Sequence, residues 1–311
     1  MKIVALAGGV GGAKMVFGLA RSHPAVDLTV IVNTGDDFDH LGLRICPDID
    51  TICYTLASLA NSDTGWGRSD ESWNFITELK TLGGDDWFRI GDKDLATHIE
   101  RTNRLRKGQP LSKIIHDFCD LWNVKQLVLP MSDQKVATIV CTIDYGDLHF
   151  QDYFVKNKCK PEIKGFRFDG INNAEPAPGV INSIEQADVI VICPSNPWVS
   201  IDPILKIDKI LPSLRQKSII AISPIINGKS IKGPAAKMYS ELGIQPSALA
   251  IAEHYKKLIK AIVIDDQDVS LAKDITDLGI IPFITNIIMN TSEDKQNFGK
   301  DVLNYIDRII R

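Results

Sequence analysis

The stretch Lys2-Ile-Val-Ala-Leu-Ala-Gly-Gly-Val-Gly-Gly-Ala-Lys14 decides the fold. Residues 3–6 form an apolar run typical of a buried strand, four glycines follow within five residues, and a helical apolar pattern begins at Met15. Glycine permits unusual backbone angles and the close approach of a ligand. A helix that begins at such a loop points unpaired N–H groups and the positive end of its dipole into the loop. The stretch predicts a phosphate-binding strand–loop–helix unit, with a tight turn that binds nothing as the alternative.

The glycine loop differs from two common nucleotide-binding motifs. Lys14 is followed by Met15 rather than by Ser or Thr, so the loop is not a P-loop, whose hydroxyl holds Mg²⁺. The glycines do not complete G-x-G-x-x-G, and the next apolar run ends at Asn33, where NAD-binding folds usually carry an acid. An NAD-dependent enzyme is therefore disfavoured.

Composition indicates an ordinary globular protein. The 311 residues are 44% hydrophobic and 24% charged, and the net charge of −4 gives no reason to expect nucleic acid or an anionic membrane as a partner. No apolar run approaches the length of about 20 residues that a membrane span needs, and no secretory signal pattern is present. The six cysteines show no C-x-x-C spacing, which indicates neither zinc nor a disulfide framework. We expect a cytoplasmic protein.

Continuous apolar runs alternate with helical patterns along the chain. Such runs are typical of parallel strands that are covered on both faces, and the alternation predicts a doubly wound, mostly parallel α/β sheet in a single domain over residues 1–311. The predicted strands are residues 3–6, 28–32, 126–129, 189–193, 218–222, 261–264 and 281–284, and two of the predicted helices are residues 203–214 and 233–242. Because ligands bind beyond the carboxyl ends of such strands, we expect the loops that follow them to meet in one site.

Two segments interrupt this alternation. Residues 48–122 are predicted to be a mainly helical insertion, and they contain four of the five tryptophans. Residues 136–156 alternate between apolar and polar side chains around Tyr145-Gly-Asp147, which predicts a β-hairpin. We interpret both as insertions on the α/β core rather than as independent domains.

Carboxylates are concentrated just after the second predicted strand. Asp36 and Asp37 lie there, and Mg²⁺ prefers such oxygen ligands, although a solvated acidic turn gives the same pattern. Asp48 and Asp50 follow at the start of a predicted helix, where either could be a ligand or simply a helix cap. The sequence therefore offers several acids for one metal site and does not rank them.

Other loops suit a nucleotide and a planar ring. Ser195 and Asn196 follow a buried strand and suit phosphate or ribose contacts, although the surrounding prolines also fit a rigid turn. Trp66, Trp87 and Arg89 combine ring faces with hydrogen-bond donors, as a planar heterocycle requires, although tryptophans are more often part of a core. The lysine-bearing loop at residues 229–234 could neutralise a diphosphate.

Two sets of side chains receive no ligand role from the sequence. His98, His116, His149 and His254 have no partner that the sequence reveals. The basic cluster of Arg101, Arg104, Arg106 and Lys107 is interpreted as favourable charge at the end of a helix.

Taken in order along the chain, eight motifs resemble the 2-phospho-L-lactate transferase family, which acts in the biosynthesis of coenzyme F420. The motifs are Gly8-Gly-Val-Gly-Gly-Ala-Lys14, Asn33-Thr-Gly-Asp-Asp37, Cys46-Pro-Asp-Ile-Asp-Thr51, Gly65-Trp-Gly67, Trp87-Phe-Arg-Ile-Gly-Asp92, Met131-Ser-Asp133, Pro194-Ser-Asn-Pro197 and Lys232-Gly-Pro-Ala235. Small departures occur at Cys193-Pro194 and Asn227-Gly228, where the family commonly has Gly-Pro and Gly-Gly.

The resemblance implies a Rossmann-like, homodimeric, Mg²⁺-dependent transferase. It implies transfer of a phospholactyl group from lactyl-2-diphospho-5′-guanosine to the deazaflavin FO, with release of GMP; some members use the enolpyruvyl analogue. The nucleotide-binding residues that it implies are Gly9, Gly11, Gly12, Lys14, Ser195 and Asn196, and the FO-binding residues that it implies are Asp50 and Arg89. The residue patterns themselves add Asn33 as a nucleotide contact, Asp36 and Asp37 as metal ligands, and Trp66 and Trp87 as FO-binding residues. Asp50 would accept the proton of the acceptor hydroxyl or only orient it.

One alternative comes from a different functional class. The related gluconeogenesis-factor family, whose members are nucleotide-sugar-binding regulators, shares the glycine loop and parts of the Asn33-Thr-Gly-Asp-Asp37 pattern. A transferase needs the aromatic region from Trp66 to Arg89 as a wall for its planar acceptor, whereas a regulator does not.

Overall fold

The computed structural model describes residues 1–230 and 233–310. The strands are β1 (Lys2–Ala7), β2 (Asp27–Val32), β3 (Phe38–His40), β4 (Leu43–Ile45), β5 (Leu127–Pro130), β6 (Ala137–Thr142), β7 (Asp147–His149), β8 (Ile163–Asp169), β9 (Val189–Ile192), β10 (Ile219–Ile222), β11 (Ile225–Ile226), β12 (Lys229–Ser230), β13 (Ala261–Ile264) and β14 (Ile281–Ile284). The α-helices are α1 (Gly9–Ser22), α2 (Pro47–Leu56), α3 (Asn74–Thr81), α4 (Asp92–Arg106), α5 (Leu111–Leu121), α6 (Val180–Gln186), α7 (Asp202–Leu205), α8 (Ile210–Leu214), α9 (Ala235–Glu241), α10 (Ala248–Tyr255), α11 (Ala272–Asp277) and α12 (Ser292–Ile310). Short π-helical turns cover Asp152–Lys156 and Pro197–Ile201, and 3₁₀ turns cover Ile171–Asn173 and Asp266–Leu271.

A seven-stranded parallel sheet forms the centre of the molecule, in the order β14-β13-β10-β9-β1-β2-β5. All seven predicted strands belong to it, so the predicted doubly wound α/β fold is confirmed. From β1 the chain proceeds outward through β2 and β5, whereas from β9 it proceeds in the opposite direction. The strand order therefore reverses between β1 and β9, and the crevice at such a switch point is where open α/β sheets bind ligands.

Helices cover both faces of this sheet. Along β1, Ile3 and Ala5 pack into one apolar core with α1, α2, α5 and α12, whereas Val4 and Leu6 pack into a second core with α6 to α11. Because both faces are buried, the strands carry continuous apolar runs rather than alternating ones. This double coverage explains why the strands were recognisable in the sequence. Within the described residues, no helix combines the length and apolarity needed to cross a bilayer.

The predicted helix at residues 203–214 is broken in the structure. It forms α7 and α8, separated by a turn in which Lys209 has φ of +68°. Pro212 explains the break, because proline is compatible only with the first turn of a helix, so a new helix has to begin just before it. The other predicted helix, at residues 233–242, forms α9.

The predicted hairpin at residues 136–156 is shorter in the structure. β6 pairs with β7 only up to His149, and Asp152–Lys156 turn helical instead. Phe150 and Tyr153 are both buried in a small third core, and their spacing of three residues suits a helical turn rather than a strand. β8, which the sequence analysis missed, pairs with the other edge of β6 and completes a three-stranded antiparallel sheet.

Candidate active site

One large cavity lies at the carboxyl ends of the strands, at the switch point. Its volume of about 650 Å³ lies within the range of small-molecule sites. Gly11 lines it from the loop after β1, Ser195 from the loop after β9, and Pro224 from the loop after β10. Arg89, from the helical segment between β4 and β5, lines the same cavity. The glycine loop and the aromatic segment, which are distant in sequence, therefore share one cleft.

Most of the residues predicted for the site line this cavity. These are Gly9, Gly11, Lys14, Asp36, Asp50, Trp66, Trp87, Arg89, Ser195 and Asn196. Gly12, Asn33 and Asp37 are not among the lining residues. In the predicted lysine loop, Lys232 lies outside the described residues, while Gly233 and Pro234 line the cavity.

Side chains from other loops hold the glycine loop in place at the start of α1. The Oδ1 of Asp48 accepts a hydrogen bond from the Gly9 N–H at 2.7 Å, and the Ser195 hydroxyl donates to the Gly8 carbonyl at 2.7 Å. No acidic residue lies in the first turn of α1, and the helix has no side-chain cap. Asp48 therefore occupies the N–H of Gly9 at the start of α1, while the next residues of the first turn, Val10 and Gly11, line the cavity, where a helix N-terminus favours an anion.

Two of the glycines are needed for close packing at the switch point. A Cβ on Gly11 would overlap the Pro194 carbonyl oxygen, and a Cβ on Gly12 would lie 2.9 Å from the Ser195 Oγ. The loops after β1 and β9 are therefore in direct contact, and side chains at these positions would separate them. Gly12 contributes this packing rather than cavity surface.

Asn33, predicted as a nucleotide contact, lies behind the cavity wall and hydrogen-bonds neighbouring segments. It is fully buried, its Nδ2 donates to Asp48 Oδ2 at 2.9 Å and to the Val199 carbonyl at 3.1 Å, and its Oδ1 accepts from the Gly35 N–H at 2.8 Å. These bonds use both N–H groups of the side-chain amide and one lone pair of its oxygen. Lys14 does line the cavity, and its Nζ donates to the Met289 carbonyl at 2.6 Å, which joins α1 to the segment before α12.

Two buried carboxylates in the cavity wall have the properties of cation ligands. Asp36 is 5% exposed, and its Oδ1 has no hydrogen-bond partner within the described residues. Burial, with the charge of Asp48 next in effect, raises the pKa of Asp36, and burial raises the pKa of Asp48 to about 6. A divalent cation would relieve both penalties, and carboxylate oxygens are the ligands that Mg²⁺ prefers. The residues present therefore fit Mg²⁺, with Asp48 as a ligand that the sequence analysis did not rank.

Asp37, predicted as a metal ligand beside Asp36, lies outside the cavity wall. Both of its carboxylate oxygens are buried without a hydrogen-bond partner in the described part of the chain, and Arg44 approaches one of them at 3.6 Å. Burial raises the pKa of Asp37 to about 7. The structure thus separates the two acids, because consecutive residues of this loop face in different directions.

We expect Asp37→Asn to flatten the dependence of stability on pH. The pKa of Asp37 is about 7 in the folded protein against 3.8 for the free side chain, so between these values the folded state holds a proton that the unfolded state has lost. Wild-type stability therefore falls as pH rises through this window, by about 3 kcal/mol between pH 5 and pH 8 at 1.4 kcal/mol per pKa unit. Urea unfolding at both pH values measures the difference. Asp39→Asn, at an exposed side chain of the same loop, should keep the wild-type slope; an unchanged slope in Asp37→Asn would contradict the prediction.

An aromatic compartment forms the other end of the cavity. Trp66, Trp87 and Phe88 line it from the helical segment, and Phe150 and Phe154 line it from the helical turn that follows β7. Trp66 is 43% exposed, which leaves one face of its ring available to a ligand. Arg89 stacks its guanidinium over the Trp73 ring at 4.3 Å and offers hydrogen-bond donors to the compartment. Apolar walls with a few fixed polar groups suit a planar heterocycle.

Asp50 lies in the cavity wall next to this compartment, and Arg101 pairs with it from behind. The guanidinium donates to both carboxylate oxygens, at 3.0 Å for Oδ2, and Arg101 is fully buried. Even so, burial raises the pKa of Asp50. The sequence predicts helix-end charge for Arg101 and no role for His98, yet Asp94, His98 and Asp50 come together here. The i, i+4, i+7 spacing of Asp94, His98 and Arg101 was the available signal, because it puts all three on one face of α4.

Fold and cavity together define a doubly wound α/β protein with a ligand site at its switch point. The chain belongs to the 2-phospho-L-lactate transferase CofD family, whose model matches residues 3–278. It is 41% identical to the phosphoenolpyruvate transferase of Streptomyces griseus over 287 residues, which is 90% of each chain, and 36% identical to that of Streptomyces coelicolor over 316 residues, 99% of each chain. The phosphoenolpyruvate transferase of Thermobifida fusca is 41% identical over 281 residues, 86% of this chain and 87% of that one.

A solved structure supports the fold over nearly the whole length. A member of the UPF0052 family from Bacillus halodurans superposes with a TM-score of 0.63 at 15% identity, covering 97% of this chain and 98% of that one. At this identity the likeness concerns the architecture alone. The family match therefore carries the functional class, and it favours a transferase over the regulator alternative.

Proposed function

We propose that this protein is a Mg²⁺-dependent transferase of coenzyme F420 biosynthesis. It transfers a 2-phospholactyl group, or the enolpyruvyl analogue, from a guanosine diphosphate ester to FO and releases GMP. The observation that carries the proposal is the two-ended cavity, because the glycine loop at one end suits a diphosphate and the aromatic compartment at the other suits a tricyclic ring. We further expect a cytoplasmic homodimer.

The donor end is assigned from the residues around the start of α1. The helix N-terminus and Lys14 provide positive potential for the diphosphate, and Asn196 adds a polar group from the facing loop. Asp36 and Asp48 would hold Mg²⁺, which when bound supplies charge neutralisation for the transferring phosphoryl group. Phosphoryl transfer depends mainly on positioning and electrostatic stabilisation, so a rigid loop that is hydrogen-bonded to Asp48 and Ser195 is an appropriate scaffold.

At the acceptor end, Trp66, Trp87 and Arg89 would bind the deazaflavin ring and Asp50 would face its ribityl chain. The terminal hydroxyl oxygen of FO attacks the phosphorus that carries the lactyl or enolpyruvyl group, the bond from that phosphorus to the GMP oxygen breaks, and the hydroxyl proton is released. Because Arg101 occupies both carboxylate oxygens of Asp50, orientation of the hydroxyl is favoured over full proton abstraction by Asp50.

Two donors fit this chemistry, and they differ only in the three-carbon acid. The names of the relatives favour the enolpyruvyl group, whereas the family description favours the lactyl group. The experiment is to incubate the protein with FO, Mg²⁺ and each donor separately, and to measure the phosphodiester product by mass together with GMP release. We expect one of the two donors to give product. Formation of this product should require Mg²⁺ and should stop when EDTA is added. Absence of product from either donor, with binding of a UDP-sugar instead, would support the regulator alternative.

A further inference from the structure

A continuous chain of buried polar side chains connects α2 with α4 behind the acceptor end of the cavity. The Tyr54 hydroxyl donates to Asp94 Oδ1 at 2.7 Å, and Asp94 Oδ2 lies 3.3 Å from His98 Nε2. His98 Nδ1 lies 3.3 Å from Arg101 Nη1. Arg101 Nη1 also donates a hydrogen bond to Asp50 Oδ2 at 3.0 Å. The five side chains thus form one path from Tyr54 to Asp50.

The chemistry of the groups determines the direction of each contact in this path. Arginine can only donate, so a hydrogen bond between Arg101 and His98 requires that Nδ1 accept, and the ring proton then lies on Nε2, which faces Asp94. His98 is 1% exposed and Arg101 is 0% exposed, so bulk water does not compete for these contacts. His98 therefore lies between two charged groups, with its Nε2 3.3 Å from Asp94 Oδ2 but outside hydrogen-bond geometry, and its Nδ1 3.3 Å from the Arg101 guanidinium.

The cavity contacts only part of this path. Asp50, Asp94, His98 and Tyr54 line the cavity, whereas Arg101 does not. Asp50, Asp94 and His98 are also residue types that bind metal ions, and one potential ligand atom from each lies within 4.8 Å of the others. However, the guanidinium already pairs with both oxygens of Asp50, and its positive charge opposes a cation at this point.

We propose that Asp94 and His98 are positioning residues for group transfer to the acceptor hydroxyl. They hold the Arg101 guanidinium, and through it they fix the orientation in which Asp50 faces the hydroxyl-bearing side chain of the acceptor; this inference rests on the proposed function. Asp50 alone is a short side chain with a rotatable carboxylate, and a second set of hydrogen-bonded partners is what removes that freedom. Misplacement of a reacting group by about 1 Å costs about 100-fold in rate, so this constraint is large enough to measure.

The test compares two substitutions of His98. Leucine fills the space and removes both polar contacts, and we expect kcat to fall by about 10- to 100-fold while the KM of the guanosine diphosphate donor stays within about twofold. Glutamine keeps one acceptor and one donor at similar spacing, so His98→Gln should recover most of the lost kcat. Steady-state kinetics with FO and the active donor, with each substrate varied in turn, separates kcat from the two KM values.

Controls separate positioning from folding. Thr102→Val, on the same helix, removes a hydroxyl that bonds the His98 carbonyl and the Arg44 N–H but leaves the path intact, and kcat should remain within about twofold. Should the leucine protein not fold, Tyr54→Phe removes only the hydroxyl that anchors Asp94, with an expected loss of about 2- to 10-fold in kcat.

Three results would overturn the inference. These are an unchanged kcat in His98→Leu, an equal loss in the leucine and glutamine variants, and recovery of the leucine variant by added divalent cation, which would make the cluster a metal site. If the wild-type protein forms no product at all, the proposed function fails, and that outcome differs from an active wild type whose variants are unaffected.

Discussion

Replacing Gly11 with alanine should raise the KM of the guanosine diphosphate donor by about 10- to 100-fold, with the KM of FO much less affected. A Cβ at this position overlaps the backbone carbonyl of Pro194, in the loop after β9. Because the new Cβ meets a backbone oxygen rather than a flexible side chain, the loops after β1 and β9 have to separate. The separation displaces the N-terminus of α1 from the diphosphate, and it also disturbs the bonds that Ser195 makes to Gly8.

Helix propensity alone would predict the opposite effect on stability. Gly11 lies in the first turn of α1, and alanine in a helix is generally more favourable than glycine by about 0.5–1 kcal/mol. Overpacking of this kind costs about 1–3 kcal/mol, so we expect a net loss of thermal stability. Steady-state kinetics with each substrate varied in turn and a thermal melt measure the two effects on one preparation.

The matched control is Gly165→Ala in β8. Nothing lies within 4 Å of a Cβ built at Gly165, so this variant should keep the donor KM and the melting temperature of the wild type. If Gly11→Ala kept the donor affinity of the wild type, the switch-point crevice would not be the nucleotide site. That result would count against the proposed site as a whole.

The sequence predicted the sheet well because local signals specify it. Each central strand is a continuous apolar run between helical patterns, and parallel strands necessarily end at the same edge. The meeting of Gly11 and Ser195 in one cavity follows from that geometry without knowledge of any contact, whereas Arg89 lies in the helical segment and is assigned to the site through the family resemblance. Family resemblance then added roles for these residues, and the family itself is confirmed by the match over residues 3–278.

The individual contacts in the site could not be predicted, because they depend on the direction of side chains in three dimensions. Asp36 and Asp37 are adjacent in sequence, yet only Asp36 lines the cavity, and Asp48 takes part because α2 begins beside the glycine loop. The Ser195 hydroxyl looked available for phosphate but binds the backbone of Gly8, which is 187 positions away. Such pairings depend on long-range packing rather than on local pattern.

The buried ion pair was missed for a related reason. Arg101 lies in a basic cluster near the end of α4, and helix-end charge is the usual explanation for such a cluster. Its partner Asp50 is 51 positions away, so only the packing of α4 against β4, which brings Arg101 to Asp50, shows that one arginine of the cluster points inward. The spacing of Asp94, His98 and Arg101 on one helix face was visible, but an amphipathic surface gives the same spacing.

Asp36→Asn is expected to abolish most of the transferase activity, with a loss of at least about 100-fold in kcat at saturating Mg²⁺. The substitution keeps the size of the side chain but removes a negative charge that would neutralise the cation. The unpartnered Oδ1 of Asp36, buried in the cavity wall, is the atom that the proposed metal would contact. When activity is measured across a range of Mg²⁺ concentrations, the activity of Asp36→Asn should respond less to added Mg²⁺ than that of the wild type.

The same substitution should stabilise the protein when no metal is present. Burial, together with the neighbouring charge of Asp48, raises the pKa of Asp36, so its ionised form opposes folding at neutral pH, and the neutral amide removes that cost. A higher melting temperature in EDTA combined with lost activity is the pattern of a residue retained for function at the expense of stability. Asp39→Asn, at an exposed acid of the same loop that pairs with Lys135, should change neither property. Full activity and wild-type Mg²⁺ dependence in Asp36→Asn would show that Asp36 does not bind the metal. Lost activity without a gain in stability would instead indicate a damaged fold.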